Sequence, residues 1–206
     1  MKTVEEWREY WSQKSGSDRI ALVDYCVDGV PLTAEEYHRL IVSPNLKQLE
    51  TSPGDDVLEI GCGTGLHLEA LEAVAGDLAG TDLSPSLLGA YQGRARTFVS
   101  EAARQPFSAR SFDRILMAGV ALYFPSDEYF ESVLAEISRL LRPSGRALIS
   151  DMLFGDFVSR SAYRVYKIDS VMKMLDRFDF DWQINNQSAV KRTLNKRYNI
   201  IIQSSS

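Results

Sequence analysis

The chain has 206 residues, 45% apolar and 25% charged, which fits one globular domain with room for an appendage and excludes a disordered or collagenous polymer. Its two cysteines, Cys26 and Cys62, cannot build a disulfide scaffold or a four-ligand zinc cage, and both are expected to be thiols in a reducing compartment. A net charge of −5 gives no general attraction to phosphate backbones or anionic lipid. The segment Met1–Trp11 lacks the layout of a signal peptide, and no apolar run approaches the roughly 18–20 residues that span a bilayer, so a cytoplasmic location is expected.

In chain order, the first fifty residues read as helices. Thr3 and Glu6 have the spacing of a capping box, and Trp7, Tyr10 and Trp11 then fall on one helical face. Thr33 and Glu36 repeat the signal ahead of Tyr37, Leu40 and Ile41, and Ser43-Pro44 reads as a fresh N-cap with a first-turn proline. Pro53-Gly54 is a turn, after which short apolar runs alternate with amphipathic stretches. Strands are expected at Val57–Ile60, Leu78–Thr81, Phe98–Val99, Phe112–Met117 and Ala147–Ile149, the last entered through the turn Pro143-Ser144-Gly145. Between them, helices are expected over Leu66–Val74, after the cap Ser84-Pro85, and along the stripe Phe130, Val133, Leu134, Ile137, Leu140, Leu141. This rhythm argues for βαβ units and a parallel sheet covered on both faces. The end differs: a helix over Val171–Phe178 precedes two strands, Phe180–Ile184 and Tyr198–Gln203, that read as an antiparallel edge hairpin.

The most informative segment is Val57-Leu58-Glu59-Ile60-Gly61-Cys62-Gly63-Thr64-Gly65, which runs from a buried strand directly into a helix. Glycines at alternate positions remove Cβ atoms where the chain turns tightly and let a ligand approach the backbone, and the helix start behind them offers N–H groups to an anionic moiety. The spacing G-x-G-x-x-G of dinucleotide dehydrogenases would place its third glycine where Leu66 stands, and no phosphate-binding lysine follows. Asp82, directly after the next strand, is placed by a doubly wound sheet beside the glycine loop, where a carboxylate accepts two hydrogen bonds from a ribose diol.

With these motifs, and with Glu101-Ala102-Ala103-Arg104-Gln105-Pro106-Phe107 leading to Ser111-Phe112-Asp113 and then Leu141-Arg142-Pro143-Ser144-Gly145-Arg146, the chain resembles a class I S-adenosylmethionine-dependent methyltransferase. The resemblance covers roughly three quarters of the chain. It implies an α/β, Rossmann-like doubly wound sheet of seven strands, mostly parallel with an antiparallel C-terminal edge hairpin, with helices on both faces. Residues 1–53 would form a helical cap within the same domain, and 54–206 the cofactor-binding core. It further implies S-adenosylmethionine as cofactor: Glu59, Gly61, Cys62 and Gly63 along its methionine portion, Asp82 at the ribose diol, Leu83, Glu101 and Ala102 around the adenine, and Met117 with Ala118 bordering the sulfonium. Glu101 follows Ser100 where the family has Asp after Gly, a departure at the adenine contact.

The reaction such a fold supports is in-line methyl transfer to O, N or C of a small-molecule acceptor, in which positioning does most of the work and a base is needed only for a protonated acceptor. Ala118–Phe124 holds no Asn, no Asp and no paired prolines, so exocyclic base methylation is not expected. Neither cysteine follows the fourth core strand, where a cytosine C5 nucleophile would stand. His38, on a polar helix face, reads as solvated with a base role as the alternative; Tyr123 reads equally as a hydrogen-bonding group or as core; His67 reads as packing. Trp7, Tyr10 and Trp11 read as a docking face for the core, and Asp151 as a lone candidate metal carboxylate without evident partners, so no metal is expected. The stretch Met152–Ile168, with Phe154, Phe157, Tyr163, Tyr166, Arg160 and Arg164, lies where the family places acceptor-binding insertions, and its aromatic and basic mix suits a planar or anionic molecule. Lys191-Arg192 and Lys196-Arg197 read as a solvated edge turn, with no nucleic acid or membrane partner expected and a monomer or homodimer as the state. A methyltransferase-like binding subunit without turnover, and an NAD-linked oxidoreductase disfavoured by the glycine spacing, stay open beside the main reading, as does a protein or RNA acceptor.

Overall fold

The computed structural model describes residues 2–23, 25–27, 29–155, 163–187 and 197–205. The leading segment folds as α1 (Val4–Ser12), α2 (Arg19–Leu22), a ribbon of β1 (Cys26–Val27) and β2 (Val30–Pro31), and α3 (Ala34–Tyr37), which runs through a π-helical turn, His38–Val42, into α4 (Ser43–Leu49). The core follows as β3 (Val57–Ile60), α5 (Leu66–Leu71), β4 (Leu78–Asp82), α6 (Pro85–Leu88), β5 (Arg96–Val99), β6 (Phe112–Ala118), a single 3₁₀ turn at Ala121–Tyr123, α7 (Asp127–Leu140), β7 (Leu141–Leu153), α8 (Ile168–Leu175), β8 (Phe180–Asn186) and β9 (Arg197–Ser204).

Seven of these strands form one sheet in the order β5-β4-β3-β6-β7-β9-β8. The first five are mutually parallel, and β9 pairs antiparallel with both β7 and β8, as expected for a doubly wound sheet closed by a C-terminal hairpin. Side chains alternate across it as a pleated strand requires. Leu58, Ile60, Ile115, Met117, Ala147, Ile149, Ile200 and Ile202 join one core, while Val57, Leu116, Leu148 and Ile201 join the other. The first core takes Phe130, Val133, Leu134, Ile137 and Leu140 of α7 together with Val171 and Leu175 of α8. The opposite core takes Leu49 of α4, Leu68 and Leu71 of α5, and Leu88 of α6.

Both capping boxes form: the Thr3 and Thr33 side chains accept from the Glu6 and Glu36 N–H groups, and the two glutamates reach back to the threonine N–H groups. Four expectations need correction. The first fifty residues are not all helical, because Gly29 at φ 83° turns the chain into the β1–β2 ribbon. Ser43-Pro44 does not start a new helix; Ser43 is helical at φ −60°, ψ −43°, and its hydroxyl meets His38 Nδ1 at 3.3 Å. Pro44 has no N–H to give to the preceding turn, and the widened π turn before it lets the chain stay helical without that bond. Finally, α5 stops at Leu71, beyond which the chain closes in a turn whose Val74 and Ala75 N–H groups both donate to the Leu71 carbonyl, at 3.1 and 2.9 Å. The C-terminal helix is likewise shifted to Ile168–Leu175, leaving Phe178 to stack on Phe180 at 5.2 Å.

The topological switch lies between β3 and β6, because β4 and β5 extend the sheet to one side of β3 and β6 and β7 to the other. The loops leaving the C-terminal ends of β3 and β6 diverge there and open a crevice. Phe130 anchors the layer beneath it, fully buried and in ring contact with Tyr166 at 5.2 Å and Phe124 at 6.0 Å. Phe130→Ala is expected to lower stability by about 3–5 kcal/mol, read as a shifted urea midpoint at unchanged slope; a loss under about 1 kcal/mol would contradict this packing.

Candidate active site

The glycine loop leaving β3 makes three left-handed turns in five residues, Gly61 at φ 73°, Gly63 at φ 52° and Gly65 at φ 79°. A Cβ on Gly61 would lie 2.3 Å from Val120 Cγ2, and one on Gly65 would lie 2.4 Å from the Tyr91 ring. The loop hangs on the end of β4: Gly61 and Cys62 N–H both donate to the Thr81 carbonyl, at 2.7 and 2.9 Å. Asp82 completes this frame, with Oδ2 accepting from Gly63 N–H at 2.8 Å and Oδ1 from Ser84 N–H at 2.9 Å. Withdrawal from solvent pushes the Asp82 carboxyl up to about 6, against the pull of those two N–H donors.

Glu59, on β3 just below the loop, is 2% exposed. Its Oε1 lies 3.1 Å from His67 Nδ1, and His67 Nε2 lies 3.1 Å from Asn45 Nδ2. Glu59 Oε2 is buried and has no hydrogen-bond partner among the described residues. Burial raises the Glu59 carboxyl above its usual range while His67 opposes the shift. Cys62 is a buried wall residue whose thiol is pushed well up by burial, with Glu59 and Asp82 adding to it; it stays neutral and inert.

Glu59, Gly61, Cys62, Gly63, Asp82, Leu83, Ala102, Ala118 and Tyr123 all line one cavity of about 240 Å³. Three sequence candidates are not in its wall. Met117 is fully buried in the sheet core. Glu101 turns to Arg8, with Oε1 3.0 Å from Nη2, and its neighbours Ser100 and Ala102 face the cavity in its place. His38 is exposed on the π turn and bonded to Ser43.

The cavity roof comes from the leading segment. Val4, Trp7 and Trp11 of α1 enter the wall, and both tryptophans meet Tyr123 edge to face, at 4.7 and 5.4 Å. Polar ties hold this segment down. The Arg19 guanidinium bonds the Thr64 carbonyl and pairs with Glu69, Thr64 Oγ1 donates to the Arg19 carbonyl at 3.2 Å, and the Ser84 and Ser86 hydroxyls donate to the Trp11 and Ser12 carbonyls at 3.0 and 3.1 Å. The α1 aromatics thus dock on the core, as expected, and enclose the cavity as well.

Sequence reasoning missed Tyr25, whose hydroxyl donates to Asp151 Oδ1 at 3.0 Å, because it falls between elements with no motif around it. Asp151 is not partnerless: it is 4% exposed, left-handed at φ 65°, and its Oδ2 lies 3.4 Å from Arg197 Nη1. Arg197 does not belong to a solvated turn, since it opens β9 with a side chain 12% exposed; Lys191, Arg192 and Lys196 lie outside the described residues. Tyr163 lines the cavity, Arg164 pairs with Asp127, and Phe154 and Tyr166 are core. Phe157 and Arg160 lie outside the described residues. Among the described residues no cluster of His, Cys, Asp and Glu could hold a metal ion, and no helix is long and apolar enough to cross a membrane.

Residues 58–149 match a family model described as a methyltransferase domain. The chain is 27% identical over 125 residues to a demethylmenaquinone methyltransferase of Tropheryma whipplei, covering 58% of this chain and 51% of that protein. It is 28% identical over 154 residues to the methyltransferase GfsG of Streptomyces halstedii, covering 70% of this chain and 49% of that protein. The chain therefore spans about half the length of these curated relatives. Among solved structures, magnesium protoporphyrin IX methyltransferase from Synechocystis PCC 6803 with bound SAM superposes with a TM-score of 0.73 at 18% identity, covering 99% of this chain and 98% of that one. At that identity the likeness speaks for the fold.

The approach of Gly61 to Val120 leaves no room for a methyl group. Gly61→Ala is expected to cost about 1–3 kcal/mol through overpacking and the left-handed backbone, measured by chemical denaturation against the parent chain.

Proposed function

We infer, from the match of residues 58–149 to a methyltransferase domain, that the chain is a class I S-adenosylmethionine-dependent methyltransferase and transfers the methyl group of S-adenosylmethionine to a small-molecule acceptor. The observation that carries this reading is the pair of carboxylates flanking the glycine loop in one cavity, Glu59 with a buried oxygen lacking a partner and Asp82 held by two N–H groups. A buried carboxylate oxygen left unsatisfied is costly, and the α-ammonium of the cofactor's methionine end supplies the missing donor. The Asp82 oxygens each keep a lone pair beyond their backbone bond, enough to accept the ribose diol. Gly61 and Gly63 line the cavity where the chain of the cofactor would run, and Leu83 and Ala102 offer apolar wall for the adenine. When bound, S-adenosylmethionine supplies a methyl group on a positively charged sulfur, so that bond breaking needs no acid from the protein.

What remains for the chain is to hold, desolvate and orient. Trp7, Trp11 and Tyr123 form an aromatic wall that excludes water from the crevice, and Ala118, Gly119 and Val120 border it where β6 ends. The aromatic wall suits a planar, largely apolar acceptor. Activity on small molecules named for the relatives, such as demethylmenaquinone, supports that class.

The test is calorimetry with S-adenosylhomocysteine. Binding in the micromolar range is expected, and Asp82→Ala should weaken it by about 3 kcal/mol, a little over a hundredfold; absence of heat with the intact chain would sink the reading. Diol donors favour the ionised carboxylate, and burial pushes the Asp82 carboxyl up to about 6. Affinity should therefore be level above that pH and fall as the pH drops through it, with proton release on binding at the lower end. Asp82→Asn should remove the part of this dependence centred near pH 6, leaving what Glu59 contributes.

A further inference from the structure

We propose that Tyr25 and Asp151 form a proton-accepting pair that selects a hydroxyl group, of the phenol or enol class, as the methyl acceptor. The proposal rests on the methyltransferase reading above and deepens it by naming the acceptor atom.

Both side chains line the same cavity as Glu59 and Asp82. Asp151 follows the central part of β7, and its carboxylate stands beside the end of β6, since a Cβ on Gly119 would lie 3.9 Å from Asp151 Oδ2. The next residue, Val120, is the one that closes on Gly61. The carboxylate is therefore one residue away from the contact between the glycine loop and the β6 loop, at the crevice where the sheet switches direction. It is brought there at a cost, because Asp151 holds φ 65°, a conformation worth about 1 kcal/mol or more against a non-glycine residue. Asn199 Oδ1 accepts from the Asp151 N–H at 3.2 Å and helps to fix it.

The chemistry of the pair points to a neutral donor. A lone carboxylate would suit an ammonium acceptor, but the Arg197 guanidinium, 3.4 Å from Oδ2, already balances the Asp151 charge. Tyr25 Oη, at 3.0 Å from Oδ1, is half-buried and carries both a donor and acceptor lone pairs. Tyr37 packs edge to face on Tyr25 at 5.1 Å and on His67 at 6.1 Å. Its own hydroxyl is pushed far up by burial and by the charges of Glu59 and Asp151, which keeps it protonated. Among the described residues, the ionisable groups around the pair include Tyr37, Glu59, His67 and Arg197.

In the step, the acceptor hydroxyl gives its proton to Tyr25 Oη while Tyr25 gives its own to Asp151 Oδ1. The electron pair left on the acceptor oxygen forms the new O–C bond, and the pair of the breaking C–S bond stays on sulfur, giving a neutral thioether and a methyl ether. The proton on Asp151 returns to solvent when product leaves. Tyr25 is the group that touches the acceptor; Asp151 acts through it as a positioning residue.

The experiment uses the intact chain saturated with S-adenosylhomocysteine, and titrates naphthol and its methyl ether by calorimetry. Naphthol is expected to bind about tenfold tighter than the ether, and Tyr25→Phe to erase that preference while S-adenosylhomocysteine affinity stays within about twofold. In turnover with S-adenosylmethionine, Tyr25→Phe and Asp151→Asn should each slow methylation of phenol by about a hundredfold or more. The loss should be much smaller for nitrophenol, which has already shed its proton near neutral pH; a purely structural defect would slow both alike. Equal binding of naphthol and its ether, a preference that survives Tyr25→Phe, or preferential methylation of naphthylamine overturns the pair. If Tyr25→Phe fails to bind S-adenosylhomocysteine, Asp151→Asn decides by the same phenol and nitrophenol comparison. Failure of the unmodified chain to bind S-adenosylhomocysteine overturns the methyltransferase reading itself.

Discussion

The fold depends on the close approach of two loops, in which the Val120 side chain fills the space that a Cβ on Gly61 would need. The loop after β3 and the loop after β6 leave adjacent strands, and the space between Gly61 and Val120 is too small for a single Cβ. Everything else at the switch point is arranged around that approach. Thr81 receives two N–H groups from the glycine loop, Asp82 receives a third, and Glu59 sits immediately beneath with one oxygen turned to His67. Packing fixes the position of the loop and hydrogen bonds fix its shape, so the two carboxylates inherit their separation from the sheet rather than from each other.

The leading segment, to Leu49, divides its work between the sheet and the cavity. Leu49 packs into the core on one face of the sheet, whereas Trp7 and Trp11 lie over the crevice and meet Tyr123. Its attachment to the glycine loop is polar, through Arg19, Thr64 and Glu69, and its attachment to α6 runs through serine hydroxyls on the Trp11 and Ser12 carbonyls. Partly exposed hydrogen bonds of this kind contribute about 1 kcal/mol each at most, far less than the burial of Phe130 or Leu134 in the sheet core.

Much of this could be read in the chain itself. Short continuous apolar runs located the central strands, which are buried on both faces, since Leu58, Ile115 and Ile149 face one layer while Val57, Leu116 and Leu148 face the other, and the stripe from Phe130 to Leu140 located α7. The glycine loop and Asp82 were legible because backbone geometry and residue type coincide there. The direction of Glu101 was not legible, because a motif position says which residue follows a strand and not which way its side chain turns; Arg8, 93 positions away, meets it. Tyr25, Asp151 and Arg197 come from three distant parts of the chain and belong to no periodic pattern, so only their meeting in space makes them a unit. The Ser43-Pro44 signal misled for a related reason: local rules foresee a helix start, and the burial of Ile41 and Val42 keeps the chain helical through it.

The wide turn at His38–Val42 sets the angular relation between two jobs of one continuous helix. Tyr37 and Ile41, before and within it, face the cavity, while Leu46 and Leu49 beyond it pack against the sheet. Successive residues of an α-helix advance by about 100°. Removing one residue from this turn would therefore rotate Tyr37 by about that angle against α4, swinging its ring away from Tyr25 and His67 while the sheet beneath stayed in register. The turn acts as a phase adjuster, and the shape of the cavity wall is encoded in a count of residues as much as in their identity.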